Sequence, residues 1–464
     1  MVIVEIAIPG SVLPCMKHTG VDWRIMRYVV TWAQNDTPIH AGFFQSLRRY
    51  CRARKAELKV IPGRYQNPTS VWTSKDRDAT WAEAIHPFLV TGREKLCRNL
   101  TLYGEVKIRP TAGRPLTGFE TFCGGTSGIF GHPKRAWETV ATDTRMPRIL
   151  VTTGAITRRN YTDSKEGHKG HHHHVYGALI VEIEPSGRYH LRHIGADSEG
   201  RFFDLDRRYT PDGIYKSARV PALTLGDLHV AHKDQVCSDG TDRLIKQLRP
   251  QRLFLHDVLD MESGNPHDRG LRKAFDKRGL SVRQELQAAC EEVHRLAQLV
   301  DEVTVLRANH DDMLDRWFES FVPERDPKNA DFYFELGALL FRARQEGKWP
   351  GAFGAWFDKH FGEVNFPDLN DRVTVGGVAY GFHGHRGLAG GKGTLGQFAR
   401  LGVKTVTGHG HAPGIRDGAY RVGVGSKLDH GYNTLPSNWL QAHCVQYPDH
   451  RRSLIPMIEG NYTY

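Results

Sequence analysis

Five short clusters in the second half of the chain carry side chains able to bind a cation. They are Asp227-x-His229, His256-Asp257, Asn309-His310-Asp311, His383-Gly384-His385 and His409-Gly410-His411. Each follows an apolar, strand-like run: Val220–Leu225, Leu253–Leu255, Val303–Leu306, Val373–Phe382 and Val403–Thr407. Imidazole mixed with carboxylate and carboxamide oxygen, with no thiolate, suits manganese, iron, zinc or cobalt better than an all-oxygen magnesium or calcium site. In Asp227-x-His229 and His409-x-His411, residues two apart on an extended segment point the same way, so each pair converges on one site. One such pair arises by accident in many chains. Five clusters, each behind an apolar run, are much harder to reach by chance.

The elements that position these clusters follow from the periodicity. Val282, Leu286, Ala289, Val293, Leu296 and Val300 recur by four and three, the stripe of a helix packed on one face, and Asp331–Glu346 reads as a second helix. Strands alternating with helices predict an α/β layered sheet. Open sheets of this kind place their sites at the carboxyl ends of the strands, where the five clusters stand.

The order D-x-H, D-x-x-D, N-H-D, H-G-H, G-H-x-H resembles the calcineurin-like metallophosphoesterases over roughly residues 220–430. The resemblance implies an αββα sandwich, two β-sheets flanked by helices, holding two divalent metal ions. Manganese is expected first, with iron, zinc, cobalt or magnesium as alternatives. Asp227, His229 and His411 would hold one ion, Asn309, His383 and His409 the other, and Asp257 would bridge them. His310 would protonate the leaving group, with Asp311 or a backbone carbonyl fixing its tautomer. Two positions depart from the family pattern. His256 stands where a glycine is usual and is expected to touch substrate or the outer side of a ligand. Ala308 replaces the glycine before Asn309. In the fourth cluster His383 fits the family position, with His385 as the alternative ligand and otherwise a substrate contact.

Composition bounds the rest. The chain has 464 residues and a mass of 52.4 kDa, with 39% hydrophobic residues and a mean hydropathy of -0.48. No apolar run approaches the roughly 18 residues a membrane span needs, so no membrane is expected. The net charge is +11. Residues 1–220 hold 33 basic and 21 acidic side chains, and residues 221–464 hold 30 and 31. This asymmetry predicts a basic α/β domain over 1–217, serving DNA binding or assembly, ahead of a metal domain with a C-terminal tail over 218–464. Seven scattered cysteines, Cys15 among them, without a C-x-x-C pair argue against a zinc knuckle or a disulfide framework and favour a reducing, cytoplasmic setting. The start, MVIVEIAIPG, lacks the basic region of a signal peptide.

In the first half, Arg27–Trp32, Leu58–Pro62, Leu100–Ile108, Arg148–Thr153 and Val175–Glu184 read as strands. The last returns through Pro185-Ser186-Gly187 as a hairpin. Ala41–Ala56 reads as a helix with Arg48, Arg52 and Lys55 on one positive stripe, a candidate phosphate-contact face. The run Gly167–His174 reads as a mobile polar loop, and Gly387–Gly393 as a flexible loop beside the site, where Arg386 and Lys392 can reach phosphate. The tail Ser437–Tyr464 packs on the core or mediates assembly.

For substrate, the excess charge offers counter-charge to a phosphate backbone. The layout also resembles phage early nucleases that degrade host DNA, which carry a long N-terminal region before the metal clusters, and Val151–Glu184 looks like that subgroup. The related SbcD-type repair nucleases place the metal domain first. The expected activity is a DNA nuclease in the host cytoplasm. The alternative is a phosphatase or a small-nucleotide or cyclic-nucleotide phosphodiesterase, its N-terminal region assembling a homo-oligomer.

Overall fold

The computed structural model describes residues 25–70, 79–144, 146–263, 281–347, 351–362, 364–369, 371–433 and 435–463. The apolar start and Cys15 lie outside these ranges. The structure is a mixed α/β protein with sheets of four, three, five and ten strands.

The five-stranded sheet carries the first three clusters. Ala222–Thr224 runs parallel to Arg252–Leu255, which runs parallel to Glu302–Val305, with Leu223 opposite Leu253 and Leu253 opposite Val303. Because these strands are parallel and in register, their carboxyl ends lie side by side and their loops emerge at one edge. The antiparallel pair Ala442–Gln446 and Arg452–Pro456 extends the sheet on the other side of Ala222–Thr224. The C-terminal tail is therefore part of the core.

Side chains alternate across this sheet with the period of two that strands impose. Leu223, Leu253, Leu255, Val303, Val445 and Ile455 face one core, shared with the helices Gln235–Leu248 and Val282–Ala297. Ala222, Phe254, Cys444 and Leu454 face a second core, shared with Tyr380, Val406 and Tyr420 of the ten-stranded sheet. Phe254 stacks on Tyr380 at 4.2 Å between centroids, joining the two sheets face to face. Both helices are firmly started. Asp234 accepts from the backbone N–H groups of Val236 and Cys237, and Ser281 with Gln284 forms a capping box. Each cap contributes about 1 kcal/mol.

The ten-stranded sheet carries the last two clusters. Val378–Ala379 runs parallel to Lys404–Thr407, again bringing two carboxyl ends together. The same sheet continues through Ala419–Arg421 and Gly414–Arg416 to Trp137–Val140, with Ile415 opposite Trp137, and on to Arg148–Thr152, Ser127–Phe130, Leu100–Tyr103 and Arg93–Cys97. Strands from before and after residue 218 thus share one sheet, and the boundary expected at 217/218 is not a break in hydrogen bonding. The four-stranded sheet also contributes to the second core, through Val30, Trp32, Leu179 and Val181. Its opposite face carries the helix Ala41–Arg54.

Three local expectations are corrected. Val373–Phe382 is not one strand but a tight hairpin, Thr374–Val375 and Val378–Ala379, turned by Gly376 and Gly377 at φ 54° and 73°. Two consecutive positive φ values suit glycine and the twist of a hairpin. Leu100–Ile108 ends as a strand at Tyr103. The histidine run is not a loop but the helix Lys165–His173, capped by Ser164. Gly167 and Gly170 are buried in it, where a Cβ would strike the Thr162 carbonyl or the Tyr161 ring. No described helix is long and apolar enough to cross a membrane.

The shared ten-stranded sheet generates a prediction. Residues 218–464 expressed alone would leave the Gly414–Arg416 edge and much of the second core uncovered. We expect this fragment to show no cooperative thermal unfolding by circular dichroism, whereas the full chain does. A cooperative transition in the fragment would contradict the structural dependence.

Candidate metal centre

The strand ends converge on one buried group of histidines and aspartates. Hydrogen bonding continues beyond the parallel strands: the backbone N–H groups of Leu228, His229 and Val230 donate to the carbonyls of His256, Asp257 and Val258 at 3.0, 2.8 and 3.1 Å. The first two loops are thereby zipped together. His229 and Asp257 nonetheless sit at φ 44° and 39°, and His409 and His411 at 66° and 50°. This left-handed region costs a residue with a side chain of the order of 1–2 kcal/mol.

His409 and His411 occupy two successive tight turns. Gly410 N–H donates to the Gly408 carbonyl at 2.8 Å and Ala412 N–H to the Gly410 carbonyl at 2.5 Å. The segment is not extended, so the two histidines do not share a direction as the two-residue spacing predicts. His411 joins Asp227, His229 and Asp257, while His409 joins Asp257 and His383. Asp257 belongs to both groups. Two further groupings are Asp227, His256 and His383, and His229, Asp260 and His310.

The spacing between donor atoms tests whether a cation fits. His229 Nε2 lies 3.1 Å from His411 Nε2, and His411 Nε2 lies 3.2 Å from Asp227 Oδ2. On the other side, His383 Nε2 lies 3.0 Å from Asn309 Oδ1 and 3.2 Å from Asp257 Oδ2. Two ligands held about 2.0–2.2 Å from one ion stand roughly 3.0–3.4 Å apart, so each set has the spacing of ligands around a common centre. Asp227 Oδ1 is buried without a hydrogen-bond donor among the described residues, and buried Asp257 Oδ2 has the His383 imidazole beside it at 3.2 Å. Buried ionised oxygens left in this way require a positive charge. The residues present fit a divalent metal.

Neighbouring groups fix the donors. Asp227 Oδ2 accepts from the His409 backbone N–H at 2.7 Å. Gly408 leaves room for this carboxylate, since a Cβ there would stand 2.1 Å from Asp227 Oδ1. His229 Nδ1 pairs with Asp260 Oδ1 at 2.8 Å, which turns Nε2 toward His411. A carboxylate behind a ligating histidine is the usual outer support of a metal site. Asp260 was present in the D-x-x-D pattern, yet sequence reading gave its side chain no task.

Electrostatics agree with an anionic pocket. Burial raises the carboxyl of Asp227, but the hydrogen bond from His411 and the charges of His383 and His411 outweigh it and hold it down at about 2. Burial opposes ionisation of Asp257 as well, and the charge and hydrogen bond of His383 hold it well below the carboxylate range. Burial pushes His229 down, but Asp260 and then Asp257 outweigh it and raise it to about 9. His383 is also raised, against its burial, by Asp257. Burial and then the charge of His383 lower His409 to about 4.

The remaining predicted residues fall as follows. His310 is half-buried; its backbone N–H donates to Asp257 Oδ1 at 3.2 Å, and its Nδ1 lies 3.5 Å from the Asp260 carbonyl. Asp311 does not reach His310. Its Oδ1 accepts from Leu259 N–H at 3.0 Å, bracing the second loop, and burial followed by the charge of Asp257 raises its carboxyl well above the usual range. His256 is fully buried behind His383, with 3.2 Å between their Nδ1 atoms, and is not open to substrate. His385 is half-buried at 5.4 Å from the His383 ring, with no hydrogen-bond partner for either ring nitrogen among the described residues. Gly393 N–H donates to its carbonyl, drawing the glycine loop beside the site. Arg386 lies near Asp312 at 3.7 Å. Arg48, Arg52 and Lys55 are exposed on the helix Ala41–Arg54 and its cap, with Arg48 over the Phe88 ring, and the structure brings none of them into the cluster.

His430 and Trp439 were missed, since an isolated histidine or tryptophan in a polar stretch gives no local signal. The His430 ring lies 4.8 Å from His229 and stacks on His232 at 4.1 Å, and Trp439 meets His411 edge-on at 4.1 Å. Burial and then the charge of His229 lower His430 to about 3.

Fold and cluster together define a mixed α/β protein with a buried histidine and aspartate centre fit for metal. The chain is 30% identical over 475 residues to Protein A1 of Escherichia phage T5, an alignment covering 96% of this chain and 85% of that protein. It belongs to the protein A1 family. No family model matches the chain, and neither does any solved structure.

The His229–Asp260 pair sets a pH dependence. With the proton held up to about 9, the pair stabilises the metal-free fold fully below the unfolded value near 6.5 and is lost as pH rises through 9. A metal would displace the Nε2 proton of this imidazolium and leave the Nδ1 proton hydrogen-bonded to Asp260, so affinity should rise with pH over the same window, about tenfold per unit for that proton. Calorimetric Mn²⁺ titrations between pH 6.5 and 8.5 should show this rise with proton release, and Asp260→Asn should flatten it. An affinity independent of pH in the unaltered chain would contradict the assignment.

Proposed function

We propose that this chain is a calcineurin-like metallophosphoesterase that hydrolyses DNA phosphodiester bonds, a phage nuclease acting on host DNA. The observation that carries the reading is Asp257, whose buried carboxylate lies between two sets of donors at ligand spacing. The order of the five clusters supports the enzyme class, and membership in a family with a phage T5 protein supports the setting. The excess charge of residues 1–220 supports a polyanionic substrate. The two facing sheets, with helices on the outer face of one, are compatible with an αββα sandwich.

Asp227, His229 and His411 would hold one divalent ion and Asn309, His383 and His409 the other, with Asp257 between them. Such a pair supplies Lewis-acid charge that polarises phosphoryl oxygens and acidifies water. The other tasks fall to groups of the chain. The Asp260 carboxylate keeps the Nδ1 proton on His229 and so presents Nε2 inward. The Asp260 carbonyl beside His310 Nδ1 holds a proton on that nitrogen, and the doubly protonated imidazolium would then give its Nε2 proton to the departing oxygen, leaving the neutral ring protonated on Nδ1. Buried Leu259 and Val258 keep water from the rear of the second loop.

Two substitutions separate binding from proton transfer. Asp257→Ala should abolish Mn²⁺ binding and hydrolysis together. His310→Asn should retain Mn²⁺ binding while lowering turnover of a diester with a poor leaving group by about 10²–10⁴. Closed circular duplex DNA with Mn²⁺ is the direct substrate test, and cleavage is the expected result. Hydrolysis of small nucleotides alone, insensitive to salt, would favour the small-molecule alternative.

A further inference from the structure

Trp439 connects the metal centre to a second feature. Its ring meets His411 edge-on, the following residue, Leu440, donates its N–H to the His411 carbonyl at 3.2 Å, and the same tryptophan lines a cavity of about 630 Å³. That volume lies within the usual range of small-molecule sites. Its wall is largely apolar, formed by Met146, Pro147, Leu428, Leu435 and Ile458 besides the tryptophan. Leu435 is 70% exposed and Leu428 40%, so apolar surface lies open at the lip. Among the described residues the charged lining groups are mostly acidic: Asp143, Asp234, Asp429 and Glu459 against Lys427. Two of these are already engaged, Asp234 as a helix cap and Glu459 with Arg188.

The described lining favours an uncharged, planar, apolar-faced group that carries N–H donors over a second phosphate. A nucleobase has those properties, and an aromatic side chain beside an apolar wall is a common platform for a base. We propose that the cavity beside Trp439 takes an unpaired nucleobase of the nucleotide whose phosphate lies at the metal centre. The position of the phosphate rests on the phosphoesterase reading. The cavity thereby gives the site a demand for a base, stacked out of its duplex or already single-stranded, in addition to a phosphate.

The test compares three probes by calorimetry on the full chain loaded with Mn²⁺: inorganic phosphate, 2-deoxyribose 5-phosphate and thymidine 5′-monophosphate. The nucleotide should bind about tenfold more tightly than the sugar phosphate, the size of one stacked base. Leu428→Asp, which places a charge in the cavity without touching a donor of the centre, should erase that difference. Trp439→Phe should keep most of it and Trp439→Ala should lose it. Equal affinity for nucleotide and sugar phosphate in the unaltered chain would overturn the proposal. So would a preference that survives both Leu428→Asp and Trp439→Ala. Failure of inorganic phosphate to bind would overturn the metal-centre reading instead. Thymidine against deoxyribose, on the same variants, then decides the cavity by the same ratio.

Discussion

The constraint on which the site depends is the burial of Asp227 and Asp257 as charged groups. Each is almost fully shielded from water; Asp227 Oδ1 has no hydrogen-bond donor among the described residues, and Asp257 Oδ2 faces the His383 imidazole at 3.2 Å. Isolated carboxylates in such a place cost many kcal/mol and normally neutralise themselves. Here the surrounding imidazoles keep them ionised, and two of these, His229 and His383, are themselves driven toward the charged form. In the metal-free protein the imidazolium protons act as counter-ions. A divalent metal would replace them, which would couple occupancy of the site to proton release and to the packing of the loops.

The backbone bears the cost of the arrangement. His229, Asp257, His409 and His411 all sit at positive φ, a region that a single local preference would not select. They are held there by hydrogen bonds that extend the parallel strands, by two consecutive tight turns, and by the contact of Gly408 with Asp227 that admits no Cβ. These restraints come from two sheets, joined through Phe254 and Tyr380. The facing of one sheet by the other therefore fixes the position of Asp257 relative to His383 and His409. Because the second sheet also contains strands from residues 93–152, the N-terminal half contributes to the rigidity of the centre through the core, while none of its described residues joins the donor cluster.

Much of this was legible because it is local. The apolar runs before the first three clusters and the last, the helical stripe from Val282 to Leu296 and the hairpin after Glu184 are short-range patterns, and each appears in the structure. The opacity lies where the determining contacts are distant. The pairing of Trp137 with Ile415 joins residues far apart in sequence, and charge counting placed a boundary between them. The spacing His409-x-His411 suggested an extended strand because nothing in Gly-His-Gly-His announces two successive turns. The pair Gly376-Gly377 could have announced its hairpin, and Ser164 its helix cap, had turn and cap chemistry been weighed above apolar content and histidine density. His430 and Trp439 reach the centre only through the tertiary fold.

The central claim is that Asp257 is shared by two metal ions. Titration of the full chain with Mn²⁺, followed by electron paramagnetic resonance, tests it most directly. The account predicts binding of two equivalents, with the six-line signal of isolated manganese giving way to the spectrum of an exchange-coupled pair. Saturation at one equivalent with an uncoupled six-line spectrum, or no binding, would contradict it.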